Sequence, residues 1–359
     1  MRRFSFIVHP LYAKQAAKRY PVARFLPDWA IEAAMRRMRP QVVGETARIV
    51  AADGSEVDGV FVGVPLTPRM MTGGIPVEAC YDTIAAGAEL AAREGAGIVG
   101  LGAFTSVVGD GGVTVASRSR IAVTTGNSYT VATAVEGTVE ALRLVGGTPE
   151  TSTLAVVGAT GSIGKTCATL LAPQFAQTIL IGRDLGRTQA VAEGLPATRA
   201  TTSPSEALGA DCVVTVTSSG DVIRPEDLAP GTVVCDVARP RDVSVAVART
   251  RPDVLVIEGG VVEVPGRPDL GFEFGFPPGT AYACMAETMM LALSGRFENF
   301  TLGKDVRVEQ VEEARRMAAR LGFRLAGFRS FESAVSPERI EAVRRARAAT
   351  PSAGARNWA

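Results

Sequence analysis

Apolar positions along the chain change their period near residue 150. From Thr153 onward, short apolar runs alternate with segments of helical spacing. Thr153 to Val157, Thr178 to Ile181, Cys212 to Val216, Thr232 to Val237 and Val254 to Ile257 read as strands buried on both faces. The stretch running on to Leu171 and the one from Leu185 to Glu193 read as the helices between them. Buried strands separated by helices predict an α/β fold with a doubly wound parallel sheet. Ahead of residue 150 the pattern is mixed. Ala30 to Met38 has helical spacing and stops at Pro40. Val42 to Val50 and Gly59 to Val64 flank Asp53-Gly54, a pair suited to a hairpin turn. Val77 to Arg93 predicts a helix ended by Gly95, Ile98 to Phe104 a strand, and Tyr129 to Leu144 a helix closed by Gly146-Gly147. After Pro277-Pro278-Gly279, Ala281 to Leu293 and Val311 to Leu321 are again helical in spacing.

Composition narrows the classes of function. With 47% apolar and 21% charged residues the chain is globular in character, and a net charge of +1 gives no electrostatic case for nucleic acid. No run approaches the roughly 18 apolar residues of a membrane span, and His9, Pro10 and Lys14 interrupt the apolar start. A cytoplasmic protein is expected. Five cysteines, widely spaced and without a Cys-x-x-Cys pair, argue against a disulfide framework and a structural zinc site, so no metal is expected.

Two places carry chemistry. The first is Gly158-Ala159-Thr160-Gly161-Ser162-Ile163-Gly164, directly after a predicted strand and opening a predicted helix. Such a turn needs glycine for tightness, for approach of a pyrophosphate, and for close helix–strand packing. Free amides at the helix start then face the phosphates of a dinucleotide. The second strand ends Gly182-Arg183-Asp184, with Arg187 one helical turn on. Arginine there accommodates the extra phosphate of NADP, so NADPH is the expected cofactor; Asp184 is the complication, since an acidic residue at this strand end grips the ribose hydroxyls of NAD unless it instead caps the following helix. Thr217, just past a later strand, is counted with this set. The second place is Cys284, near the start of a helix, where partial positive charge favours thiolate. Cys167, Cys212 and Cys235 fall within predicted elements and read as core.

Several stretches resemble the long-chain acyl-[acyl-carrier-protein] reductases. They are Gly102-Ala103-Phe104-Thr105-Ser106, Thr124-Thr125-Gly126-Asn127, Val156 to Gly164, Gly259-Gly260-Val261-Val262-Glu263, Cys284-Met285-Ala286-Glu287-Thr288-Met289 and Asn299-Phe300-Thr301-Leu302-Gly303. They run in family order over roughly residues 4 to 328. The resemblance implies reduction of an acyl thioester, carried by acyl carrier protein or coenzyme A, to an aldehyde with NADPH. It makes Cys284 the residue that takes the acyl group. Asn127, Ser128, Thr105 and Ser106 are candidate donors to the developing oxyanion. His9, the only histidine, is the candidate acid, and Glu263 a candidate substrate contact. Glu287, on the same helical face as Cys284, is expected to orient the thiol or to raise its pKa. Pro65 to Pro76 and Val264 to Pro278 depart from the family pattern and mark where substrate preference is expected to differ. Arg36, Arg37 and Arg39 are a candidate docking patch for an acidic carrier.

The expected layout is an N-terminal α/β substrate domain over 1–148 and a Rossmann-type NADP-binding domain over 149–278. A helical segment over 279–330 returns to the first domain, and a flexible basic tail covers 331–359. Two alternatives stay open: an NADP-dependent dehydrogenase of a small hydroxy or amino acid without a covalent intermediate, and a non-catalytic NADP-binding regulator. Oligomeric state is left open.

Overall fold

Strand β1 (Arg3–Val8) alternates so that Phe4 and Phe6 face one side of a sheet while Ser5 and Ile7 face the other. The computed structural model describes residues 2–18, 20–238, 240–271, 275–331 and 333–350. It divides into two units, Met1–Gly126 with Glu263–Lys304 and Glu313–Arg324, and Asn127–Val262 with Asp305–Glu312 and Leu325–Ala359. The first division therefore falls before the helix of residues 127–144, where the sequence suggested a boundary after it. The second falls at 262 rather than 278.

In the first unit, β2 (Gln41–Val50) and β3 (Glu56–Gly63) form the hairpin foreseen around Asp53-Gly54. β3 then runs parallel to β1, and β4 (Ile98–Leu101) and β5 (Ala122–Thr124) extend the sheet on the far side. The order is β2-β3-β1-β4-β5. β4 ends sooner than the apolar run suggested, because Gly102 leads into a tight turn in which Ala103 has φ +47°. Helix α1 (Asp28–Met35) precedes β2. Helix α2 (Val77–Arg93) sends Cys80, Ile84, Ala88 and Ala91 into a core shared with Ile7, Val62, Val64 and Val99. A short α3 (Val113–Arg118) leads to β5.

The second unit holds β6 (Thr153–Val157), β7 (Gln177–Ile181), β8 (Thr198–Thr201), β9 (Cys212–Thr215), β10 (Val233–Asp236) and β11 (Leu255–Glu258). Every pairing is parallel, and the order is β11-β10-β9-β6-β7-β8. Counted from its own first strand this is the 3-2-1-4-5-6 order of the Rossmann fold. Helices α4 (Asn127–Leu144), α5 (Ser162–Leu171), α6 (Leu185–Ala192) and α7 (Val245–Thr250) belong to it. β8 was not foreseen, since Thr198-Arg199-Ala200-Thr201 is an edge strand of half-buried residues with no apolar run.

Of the later chain, Glu263–Lys304 and Glu313–Arg324 belong to the first unit, whereas Asp305–Glu312 and the residues from Leu325 belong to the second. Helix α8 (Ala283–Leu293) packs on the sheet face opposite α2, where Gly100 leaves room for Phe6 and Thr288. Residues 308–321 are also helical. Among the described residues no helix is long and apolar enough to cross a membrane.

The C-terminal segment is not free up to residue 350. Pro337–Ala349 is a helix capped by Ser336, with Val343 fully buried. Arg347 donates to Ser152 Oγ at 2.9 Å and lies 3.6 Å from the Asp211 carboxylate, while Arg339 donates to the Arg251 carbonyl at 2.6 Å. The remainder, 351–359, lies outside the described residues. Val343→Ala is expected to lower the unfolding free energy by about 1–3 kcal/mol. Chemical denaturation checks this; a change within a few tenths would mean the helix does not contribute to the fold.

Candidate active site

Glycine is required in the βα turn for steric reasons visible in the second unit. Gly158 has φ +84°, and a Cβ there would sit 2.8 Å from the Val216 carbonyl oxygen. A Cβ on Gly164 would overlap the Gly158 carbonyl, so helix and strand touch main chain to main chain. Gly161, by contrast, is exposed and a Cβ there would meet only the Gly158 oxygen at 3.3 Å, which leaves its outer side open. It is the N-cap of α5 and offers no side chain to the first amides of that helix. An open cradle with uncapped amides fits a pyrophosphate. Ala159, Thr160, Ser162 and Ile163 fill the same turn.

At the end of β7, Arg183 and Arg187 are exposed. Asp184 is the N-cap of α6, accepting from the Arg187 amide at 2.8 Å, as the sequence suggested. Thr217 follows β9, and its hydroxyl donates to Asp242 Oδ1 at 2.5 Å while its amide donates to Oδ2 at 2.6 Å. The Thr215 hydroxyl joins the same carboxylate at 2.6 Å. Asp242 is fully buried, and Asp236 beside it accepts from the Ala238 and Val243 amides. Neither aspartate was singled out from the sequence. Their partners are main-chain amides and distant threonines, which no local spacing announces.

In the first unit the parallel strands β1, β3, β4 and β5 end on one edge of the sheet. His9, Pro65, Gly102 and Gly126 therefore share that edge. Gly126 has φ +75°, and a Cβ on it would overlap the main chain of Cys284. Cys284 is the second residue of α8, whose N-cap, Tyr282, has no side-chain hydrogen bond to the helix. Among the five cysteines it alone is part-exposed; Cys80, Cys167, Cys212 and Cys235 are fully buried. Burial pushes all four of those thiols up, Cys235 to about 12. Glu287, one turn on and fully buried, accepts from the Thr124 hydroxyl at 2.6 Å and the Thr301 hydroxyl at 3.0 Å. Thr125 closes the tie by donating its amide to the Thr301 carbonyl at 2.9 Å. Glu287 thus clamps the loop carrying Gly126 against the start of α8.

The other expected site residues are placed as follows. His9 Nδ1 donates to the Pro10 carbonyl at 3.0 Å, and Nε2 accepts from the Phe104 amide at 3.2 Å. Both ring nitrogens serve the main chain, which leaves no ring proton for a substrate. The Thr105 and Ser106 hydroxyls donate to the Gly102 and Ala103 carbonyls at 2.8 and 2.7 Å, so their protons are committed to their own turn. Glu263 pairs with Arg324 at 2.7 Å. Asn127 and Ser128 are buried in the first turn of α4, in the second unit. Of the loop Val264 to Pro278, residues 272–274 lie outside the described residues. Among the described residues no cluster of His, Cys, Asp and Glu has the makings of a metal site.

No family model matches the chain. It is 33% identical over 308 residues to a Serratia protein named Aminotransferase PigE, a match taking in 83% of this chain and 36% of PigE. The chain therefore spans little more than a third of that relative's length. It is 28% identical over 303 residues to the long-chain acyl-[acyl-carrier-protein] reductase of Synechococcus elongatus, covering 79% of this chain and 87% of that one. Among solved structures, L-tryptophan dehydrogenase from Nostoc punctiforme has a TM-score of 0.41 at 11% identity, over 89% of this chain and 80% of its own. Glutamyl-tRNA reductase from Methanopyrus kandleri has a TM-score of 0.30 at 22% identity, over 52% and 49%. At those scores the fold assignment rests on the strand order itself.

Burial holds the His9 ring below its ordinary pKa of 6.5, against a smaller opposing effect of the Pro10 carbonyl. A proton on Nε2 would remove the acceptor for the Phe104 amide. The unfolded ring thus binds a proton that the folded ring refuses, and stability is lost as pH falls from about 6.5 toward the lowered folded value. The melting temperature is expected to drop between about pH 7.5 and pH 5.5, and to drop less in His9→Gln. Equal slopes in the two proteins would contradict this role.

Proposed function

We propose that the protein is an NADPH-dependent reductase that converts an acyl thioester, on acyl carrier protein or coenzyme A, to an aldehyde through a thioester on Cys284. The observation that carries the reading is the contrast among the cysteines. Four are sealed in the two cores, and the fifth stands part-exposed in an uncapped first helical turn, on the edge where the parallel strands end. A thiol so placed has access to substrate and a helix end that favours its anion. The likeness to a protein named as an acyl-[acyl-carrier-protein] reductase, over most of both chains, supports the same chemistry.

In the first step Cys284 Sγ attacks the thioester carbonyl carbon. A new C–S bond forms, the bond to the carrier sulfur breaks, and the carrier leaves as a thiol with the proton that Cys284 gave up. The Gly158–Gly164 cradle would hold the pyrophosphate of a dinucleotide, with Arg183 and Arg187 beside its adenosine end. A reduced nicotinamide, when bound, supplies the hydride that takes the acyl carbon to the aldehyde level. Cys284 sulfur is then the leaving group and is regenerated. Asp184 is spent on capping α6, which disfavours it as the grip on a ribose hydroxyl pair, so the exposed arginines speak for NADPH.

An aldehyde is also a compound that an aminotransferase can accept, which accommodates the name of the Serratia relative. Mixing the protein with dodecanoyl thioester in the absence of NADPH is expected to add one acyl mass, located on Cys284, and nothing in Cys284→Ala. Turnover without an adduct, or an unchanged rate in Cys284→Ala, would overturn the covalent route.

A further inference from the structure

We propose that a methionine-lined cavity in the first unit receives the far end of the substrate's hydrocarbon chain and sets the chain-length preference. The proposal rests on Cys284 as the acyl acceptor and adds where the acyl tail goes. The cavity is about 190 Å³ and is lined by Met35, Met38, Leu66, Met70, Ile75 and Ala79, with Arg36 at its rim. An apolar cavity of about 150 Å³ already holds a benzene molecule, so this volume suits several methylene groups. Methionine is the side chain best able to adjust to tails of different length.

Its walls are built rather than incidental. Glu32 of α1, buried to 4% exposure, accepts from the Thr67 hydroxyl at 2.8 Å and from Arg69 Nε at 3.1 Å. That pins α1 to the segment after β3. Arg36 adds a bond to the Gly74 carbonyl at 2.9 Å. Between these ties the chain makes a wide turn, Met70–Gly74, in which Gly73 has φ +117°. A Cβ on Gly74 would stand 2.6 Å from the Arg69 carbonyl oxygen, so the turn depends on glycine.

The position relative to Cys284 follows from the strand order. The cavity lies beyond the end of β3, and Cys284 lies against Gly126, beyond the end of β5. β1 and β4 stand between them, so three strand spacings of roughly 4.8 Å, or about 14 Å, separate the two along the edge, and the cavity lies on the α2 face whereas α8, which carries Cys284, packs on the opposite face. The residues beyond the intervening strands are His9 and Phe104, whose rings meet edge to face at 6.2 Å. Open α/β sheets bind ligands along this carboxyl edge. On this proposal a long tail leaving the Cys284 carbonyl passes over the strand ends, beside His9 and Phe104, to reach the methionines. Short acyl groups stop before the cavity, and long ones fill it. The segment Pro65 to Pro76, which departs from the family pattern, forms one wall.

Ala79→Phe tests the assignment, because Ala79 is half-buried in the first turns of α2 and a phenyl ring there occupies the cavity without entering the core. Rates of Cys284 acylation with butanoyl, octanoyl, dodecanoyl and hexadecanoyl thioesters are compared in the two proteins, alongside calorimetric binding of dodecanol. The expected result is a loss of about tenfold or more for the two longest chains, butanoyl unchanged, and dodecanol binding abolished. An unaltered chain-length profile, or an equal loss at every length, with dodecanol still bound, would overturn the proposal. Dodecanol binding needs no thiol chemistry. Binding that Ala79→Phe abolishes, with no acylation at any length, would sink the covalent reading and leave the cavity standing as an alkyl site.

Discussion

The first unit depends on a close approach of two main chains, Gly126 against Cys284 at the start of α8. No other residue fits at 126, since any side chain would occupy the space of the Cys284 backbone. The buried Glu287 carboxylate holds the approach together by gathering the Thr124 and Thr301 hydroxyls on one oxygen. Burying a carboxyl is costly unless its oxygens are satisfied, and the two threonine hydroxyls supply donors to one of them. Its effect is to set the helix start, and with it the one part-exposed sulfur, at the edge where β1, β3, β4 and β5 end.

The second unit solves a parallel problem by a different balance of forces. Its turn must bring a helix N-terminus to the end of β6, which requires bare main chain at Gly158 and Gly164. Beside it the chain after β9 is fixed by Asp242, whose two oxygens take the Thr215 and Thr217 hydroxyls and the Thr217 amide. Rigid neighbours around an open cradle keep the amides aimed without a ligand to organise them. Both units thus rely on a buried carboxylate to hold a loop whose glycine does the steric work.

Much of this was legible in the chain. The helix Val77–Arg93, the strand Thr153–Val157 and the glycine turn after it were read at their true positions, because local period and punctuation define them. The exposed arginines after β7 and the cap by Asp184 were also local features. What stayed hidden was non-local. Thr124 and Glu287 are 163 residues apart, and Thr215 and Asp242 are 27 apart, so no spacing rule pairs them. β5 has three residues and β8 no apolar run, so neither shows a strand period. His9 read as an acid because it is the lone histidine, and the fold instead spends both its nitrogens on main chain.

The central claim is that one sulfur of five is chemically available and that its position on the strand-end edge makes it so. Timed alkylation of the native protein with iodoacetamide, followed by peptide mapping, measures this directly. Cys284 is expected to be carboxamidomethylated well before Cys80, Cys167, Cys212 and Cys235, which should react only on unfolding. Labelling of any buried cysteine at the rate of Cys284, or a Cys284 as slow as the other four, would contradict the account.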